Sequence, residues 1–346
     1  MNTSKPYFVI GFLFFESFLM FLNIKQAHDL IVKSIMTTPY NFDESIIIAD
    51  HLIDSELRGL HFAGVPRVIT LIERINSLNQ QRRPIQIINE SSISAKIDGG
   101  EVAGYIVALK AIEIAIQKAK SHGFSVVGGS KTWLTGMFSY YLEMAAKENL
   151  IGLMAGSGLP HVAPYGGVEG RFSTNPFAIA FPSLDDPIIW DIGTSNMMLG
   201  EVILKSRKGE TLDDGMAFDQ YGIPTNNPAA ALQGALTVWG GHRGSGLAMA
   251  AQILGILAGH DTDTKSAHDG GFFIILFSPN LLSSIDEFKL QVSNYAKYVR
   301  STKPINPSVP VRVPYERSLL QRRENLQLNK IEISDIVFDK LTRIIS

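Results

Sequence analysis

The chain contains no cysteine. That absence removes disulfides, thiolate nucleophiles, iron–sulfur clusters and cysteine-ligated zinc together. Histidine is scarce: the eight in 346 residues are scattered, form no H-x-x-x-H or H-E-x-x-H pair, and place His242, His260 and His268 in different expected elements. No metal site is expected. An excess of either charge is missing too, since 31 Lys and Arg stand against 33 Asp and Glu. Without a net positive field there is nothing to hold a phosphate backbone or an anionic membrane, and nucleic acid is not an expected partner. The sequence shows no internal repeat, no low-complexity tract, no G-x-G-x-x-G dinucleotide fingerprint and no G-x-S-x-G nucleophile elbow around Ser157.

What is present reads as a soluble globular chain. With 45% hydrophobic and 18% charged residues it can bury a large core and divide into two or three lobes. A reducing compartment, and so the cytoplasm, fits the lack of cysteine. One stretch departs from this, "YFVIGFLFFESFLMFLNI" from Tyr7 to Ile24. Glu16 interrupts it, only Lys5 flanks it with positive charge, and no small-residue cleavage site follows. Residues 1–19 are therefore read as an extension or a start assigned too early, with Met20 opening the protein; a signal or anchor is the alternative.

Apolar spacing predicts two helices between Ile24 and Leu60, broken near "TTPYN". "IQIINESSISAKIDGG" alternates like strands closed by a turn at Asp98, Gly99 and Gly100. "YIVALKAIEIAIQKAKSHG" is an amphipathic helix stopped by Gly123. "FSVVGG" is a short strand, "MFSYYLEMAAKENL" a helix and "IGLMAGSG" a strand. "GLAMAAQILGILAGH" is apolar on nearly all sides and is expected to be buried. "GFFIILF" reads as a central strand, and a polar helix and a proline-rich link lead to a C-terminal helix. The order is α+β more than regular βαβ.

Three glycine clusters invite a phosphate reading. In "GGHRGSGL" the glycines precede a helix, so free N–H groups and Arg243 could hold a pyrophosphate, or simply form a tight turn. In "STNPFAIAFP", Thr174 and Asn175 read as a turn feeding a strand. In "WDIGTSN", Asp191, Thr194, Ser195 and Asn196 crowd polar groups after an apolar strand, where functional loops often sit and where capping is the plain alternative.

In order, "ADHLIDSELRG", "IDGGEVAGYIVALKAIEIAIQKAKSHG", "VAPYGGVEGRFSTNPFAIAFP", "DIGTSNMMLGEV", "YGIPTNNP" and "GGHRGSGLAMAAQILGILAG" resemble one family. It is the malate/L-lactate dehydrogenase type of NAD(P)-dependent oxidoreductases, which includes ureidoglycolate dehydrogenase and piperideine-2-carboxylate reductase. The resemblance implies a fold without a Rossmann domain. A largely antiparallel sheet, within residues 91–299, would hold cofactor and substrate, and residues 20–90 and 300–346 would share a helical lobe. It further implies a homodimer and NAD or NADP as cofactor. By position, cofactor contacts would come from Leu134, Thr135, Gly136, Met137 and Phe138, from Thr194, Ser195 and Asn196, from Arg243, and from Tyr315, Glu316 and Arg317. Arg243 stands where the family has lysine, so the charge is kept.

The family's R-G-x-x-S-H-G-V-x-R aligns with Arg58 to Arg67 and puts Phe62 at the serine and Ala63 at the histidine. His61 stands two positions away, a displacement of about 6 to 7 Å on a strand or roughly 200° around a helix. It reads as a structural or surface residue, with a relocated acid as the alternative. The family's second histidine, in H-F-G or H-S-G, is Leu134 here. Arg67 survives as the clamp for a substrate carboxylate, with Thr174 beside it as a substrate-binding candidate. A missing acid slows ketone reduction by about 10²- to 10⁴-fold, whereas a cyclic imine can arrive already protonated. The expected activity is thus hydride transfer to or from a small 2-oxo, 2-hydroxy or cyclic 2-imino acid with a nonstandard proton source. Lys131 and Asp191, with Tyr140 and His242, are the candidate replacements. The alternative is a degenerate member that binds a nucleotide or metabolite without redox turnover.

Overall fold

The computed structural model describes residues 19–77, 82–262 and 270–346; residues 1–18, with most of the apolar stretch from Tyr7, lie outside the described residues. The chain runs β1 Leu19–Leu22, α1 Ile24–Ile35, α2 Phe42–Leu57, a 3₁₀ turn His61–Ala63 and α3 Arg67–Ser77. There follow β2 Gln86–Glu90, β3 Ser94–Ala103, α4 Gly104–His122, β4 Phe124–Trp133, α5 Phe138–Lys147 and β5 Ile151–Ser157. Next come β6 Phe177–Phe181, β7 Ile188–Ile192, α6 Leu199–Lys208, β8 Ala217–Phe218, α7 Pro228–Ala231 and β9 Ala235–Leu236. The last elements are α8 His242–Leu257, β10 Gly270–Phe277, α9 Ile285–Arg300, α10 Glu316–Leu328, β11 Ile331–Ser334 and α11 Asp335–Ile345.

Local chemistry sets the helix limits. Asn23 with Gln26 and Asn41 with Glu44 form reciprocal capping boxes that open α1 and α2. Gly123, at φ 78°, closes α4 in the left-handed conformation that a side chain would resist.

The architecture is α+β. A seven-stranded sheet runs β2-β3-β4-β10-β5-β6-β7, with β10 at its centre. Of its neighbouring pairs only β3 with β4 is parallel. Helix α4 lies against β3, β4 and β10, and α5 against β5, β6 and β7. The main core joins these to α1, α2, α3, β11 and α11, and a smaller core gathers Val162, Met197, Val202, Leu212 and Leu236. The ends of the described chain meet where β1 pairs antiparallel with β11, Leu19 opposite Ser334 and Leu22 opposite Ile331.

The structure corrects four expectations. Asp98, Gly99 and Gly100 do not close the strand, because β3 continues to Ala103 through an irregularity between Asp98 and Val102. Gly100 and Glu101 take left-handed φ there, and the Asp98 carboxylate accepts the Gly100 N–H, so the glycines make a bulge rather than a turn. "FSVVGG" is the first half of a strand that extends to Trp133. The single expected C-terminal helix is two, α10 and α11, with β11 between them. Helix α8 is only half covered: Gly244, Ala248, Ala251 and Gly255 are its buried residues, while Met249, Ile253 and Leu257 stay 57%, 53% and 66% exposed. Small residues bring its backbone close to β5, and Gly255 abuts the Ser157 side chain. No described helix is long and apolar enough to cross a membrane.

Candidate active site

The strand ends, the 3₁₀ turn and the starts of α3, α5 and α6 surround a cleft of about 340 Å³. Phe62 and Ala63 enter from the turn, Arg67 and Arg74 from α3, Tyr105 from α4 and the whole segment Leu134–Phe138 from the end of β4. The lining is completed by Ser157 at the end of β5, His161 in the loop that follows, Thr174, and Asp191 with Gly193 at the end of β7. The residues aligned with the family's histidines, Ala63 and Leu134, therefore share one cavity with Arg67, Thr174 and Asp191.

Arg67 begins α3, and its guanidinium makes no hydrogen bond or ion pair among the described residues. Burial lowers its pKa, partly offset by Tyr105. A desolvated cation without an anion costs free energy that a ligand carboxylate can return. Two turns on, Arg74 stacks over Trp133 at 4.8 Å, its pKa lowered to about 10 by burial and by Arg67. The cavity is thus a cationic, part-apolar pocket.

The wall made by Leu134–Phe138 is held from beneath. Leu134 takes φ 52° and Gly136 φ 78°, the first unusual for a side chain of its size. Gly136 packs directly on His51, whose Nε2 accepts the Met137 N–H at 3.0 Å. Surrounded by Tyr105, Tyr140 and Tyr141, that imidazole is buried, and burial, with some help from Arg58, lowers its pKa to about 3. The Tyr141 hydroxyl donates to the Thr135 carbonyl at 2.7 Å. Asp191 Oδ2 accepts the Ser139 N–H at 2.7 Å and so caps α5, while burial raises its pKa.

The second predicted loop is tied to the approach to α8. Thr194 Oγ1 donates to the Thr174 carbonyl, Ser195 Oγ to the Met197 carbonyl, and Asn196 Nδ2 to Thr237 and Val238. These side chains build the loop, and Trp239 N–H donates to the Thr194 carbonyl. Buried Asn175, at φ 31°, donates to the Ala248 carbonyl and Gln252, which fixes the Thr174 turn to α8. Beyond Trp239, Gly240 and Gly241 take left-handed φ and α8 starts with no side-chain cap. Arg243 makes no ion pair among the described residues, and a second cavity of about 400 Å³ is lined by residues 163–168 with Phe218, Thr237, Val238 and Gly241.

Other predicted residues stand elsewhere. Lys131 does not line the cleft and has Asp261 at 3.9 Å. Tyr140 packs on His51, and His242 faces the ring of Tyr165. None of Tyr315, Glu316 and Arg317 lines the cleft. The Tyr315 hydroxyl donates to Glu143, beneath the Arg58 guanidinium. Arg58 also binds Asp54 and Glu143 at 2.6 Å, and Arg322 joins through Nη1. Burial pushes the Glu143 pKa up, but the Tyr315 hydrogen bond and the two guanidiniums bring it to about 2. Glu316 accepts from Arg300 and from the Val313 N–H, whereas Arg317 is exposed. His61 pairs with Glu56, whose other oxygen accepts the Val65 N–H at 2.8 Å. It does not line the cleft, and that hydrogen bond raises its pKa.

Sequence reading missed Tyr105, Arg74 and His161. The signal for His161 was its place in the loop that leaves β5, in "GSGLPHVAP". It missed as well that Ser157 Oγ lies 2.7 Å from Nδ1 of the buried His260. Among the described residues no cluster of His, Asp and Glu is arranged to hold a metal.

Residues 22–342 match the family model described as malate/L-lactate dehydrogenase. The chain belongs to the malate/L-lactate dehydrogenase family. Like the named members of that family it is a dehydrogenase-type oxidoreductase. It is 30% identical over 323 residues to an L-sulfolactate dehydrogenase of Methanocaldococcus jannaschii, covering 90% of this chain and 94% of that protein. Against a ureidoglycolate dehydrogenase (NAD(+)) of Escherichia coli strain K12 it is 28% identical over 335 residues, covering 93% and 95%. The crystal structure of a dehydrogenase from Sinorhizobium meliloti superposes with a TM-score of 0.88 at 26% identity, covering 96% of this chain and all of that one.

Proposed function

We propose that this family member transfers hydride between a nicotinamide dinucleotide, NAD or NADP, and a small 2-oxo/2-hydroxy or cyclic 2-imino acid. The observation that carries the reading is Arg67: a guanidinium set in a cleft with no anion beside it among the described residues. A planar carboxylate matches its two-pronged donor edge. Thr174 and the apolar groups Phe62, Ala63 and Leu134 bound the rest of the substrate.

The residues present fit the cofactor. Segment Leu134–Phe138, clamped by His51 and Tyr141, is a rigid wall for a flat ring. The glycine-flanked, uncapped start of α8 with Arg243 suits a diphosphate. The loop of Thr194, Ser195 and Asn196 joins the two. Arg317, exposed, is the member of the 315–317 trio with an uncommitted side chain. When bound, the dinucleotide supplies or takes up the hydride; the protein orients the acid and excludes water. Asp191 is tied to α5 and serves the wall, and Lys131 is left outside the cleft. The exposed aliphatic face of α8 supports a homodimer, since a second copy would cover Met249, Ile253 and Leu257.

Fluorescence titration with NADH and NADPH, followed by addition of pyruvate, malate, sulfolactate, pyrroline-2-carboxylate and piperideine-2-carboxylate, tests the reading. Cofactor binding with turnover of at least one acid is expected. Ala63 and Leu134 favour one alternative, a member that binds without turnover, and binding with no acid consumed would establish it. No binding of either dinucleotide would refute both.

A further inference from the structure

Oxidising a 2-hydroxy acid removes a hydride from C2 and a proton from the hydroxyl, and neither Ala63 nor Leu134 can take the proton. The titratable side chains that line the cleft are Arg67 and Arg74 from α3, Tyr105 from α4, Asp191 from β7 and His161 from the loop after β5. Both arginines stay cationic near neutral pH, Arg74 with a pKa of about 10. Tyr105 keeps its proton, its pKa pushed up to about 12 by burial. Asp191 Oδ2 accepts the Ser139 N–H and so holds the start of α5.

His161 differs from all of these. Its carbonyl accepts the Leu236 N–H at 2.8 Å, and the next residue, Val162, bridges to Phe172 and Leu236, so the backbone is fixed. Its imidazole makes no hydrogen bond among the described residues and faces the same cavity as Arg67. Burial, and then the charge of Arg74, holds its pKa below the ordinary value, which keeps the ring neutral. A neutral imidazole is the form that accepts a proton.

We propose that His161 is the catalytic residue that moves the substrate proton, replacing from the loop after β5 the histidine whose place Ala63 occupies. The proposal rests on the oxidoreductase reading above. In oxidation the hydroxyl O–H bond breaks and its proton passes to an imidazole nitrogen. The C2–H bond breaks with its electron pair going to the oxidised nicotinamide, and the oxygen lone pair closes the C=O bond. The imidazolium then releases its proton to water. Reduction runs the same steps backward, with imidazolium as the acid.

His161→Asn keeps a polar side chain of similar reach and removes the titration. With NADH or NADPH affinity and melting temperature unchanged, hydroxy-acid oxidation should fall about 10²- to 10⁴-fold. The rise of kcat/KM with pH below 6.5 should vanish with it. Adding Ala63→His to that variant should restore turnover by supplying an imidazole from the 3₁₀ turn. A readout without turnover is NMR of protein carrying labelled histidine. The one imidazole signal missing from His161→Asn should titrate below 6.5 and shift when oxalate, a non-reacting dicarboxylate, is added. Retention of turnover within tenfold and of the acid limb in His161→Asn, or an oxalate-insensitive His161 signal, would overturn the role of His161 alone. Failure of the unsubstituted protein to bind either dinucleotide would instead overturn the oxidoreductase reading and this role with it.

Discussion

The guanidinium of Arg67 rests against the backbone of Gly200, in the first turn of α6, so closely that a Cβ on that glycine would overlap Nη2. The side chain is positioned by a missing methyl group rather than by a carboxylate. Gly200→Ala should displace the guanidinium and raise KM at least tenfold, with cofactor affinity unchanged.

Arg67→Met should raise KM about a hundredfold or more, as expected for losing two charge-assisted hydrogen bonds worth about 1.5 to 3 kcal/mol each. The same variant should melt higher than the parent when no acid is bound, because it removes a desolvated, unpaired charge. Calorimetry with and without oxalate separates the effects: oxalate should stabilise the parent and not the variant.

His51 should make stability depend on pH. Its folded pKa of about 3 lies below the ordinary 6.5, so the unfolded chain takes up the proton first. The sign follows: the contribution is complete above pH 6.5 and is lost as pH falls toward 3, at about 1.4 kcal/mol per pH unit. His51→Gln can still accept the Met137 N–H and should flatten that part of the curve. Urea unfolding of both proteins between pH 4 and 7 measures the difference, and parallel curves would rule the effect out.

Phe62, Ala63 and Leu134 all line the cleft, so Phe62→Ser, Ala63→His and Leu134→His together should raise 2-oxo acid reduction. Steady-state rates with pyruvate check this. No gain would count against the placement of the substrate.

Leu257→Glu and Ile253→Glu on α8 should convert a dimer to monomers in sedimentation velocity, since a charge buried without a partner costs several kcal/mol. Both positions are already solvent-exposed in the single chain, so the subunit itself should keep its fold. An unchanged sedimentation coefficient would show that this face is not the contact.

What could be read in advance was local or counted along the chain. Helix α4 and its stop at Gly123 follow from spacing and one glycine's freedom, and the presence of Arg67 in the cleft follows from a motif in which only the number of residues matters. Contacts between distant segments were invisible. Tyr315, read as a cofactor contact, gives its hydroxyl to Glu143, 172 positions away. The polar groups of Thr194, Ser195 and Asn196 were seen, but not that loop closure uses their side chains. For α8, mean apolarity suggested burial, because hydropathy does not distinguish a face of Gly and Ala that packs closely from a face of Ile and Leu left outside. His161 was overlooked because nothing in its immediate neighbours says which wall of which cavity a loop will face.

The pairing of β1 with β11 also fixes an order of events during synthesis. Leu19 to Leu22 leave the ribosome long before Ile331 to Ser334, the edge they pair with, so their hydrogen-bonding edge has to wait for that segment. Until then Ile31, Ile35 and the rest of α1's inner face lack α11, one of their packing neighbours. The nascent chain therefore carries an open apolar seam until that segment has been made, and chaperone capture should be strongest in that interval.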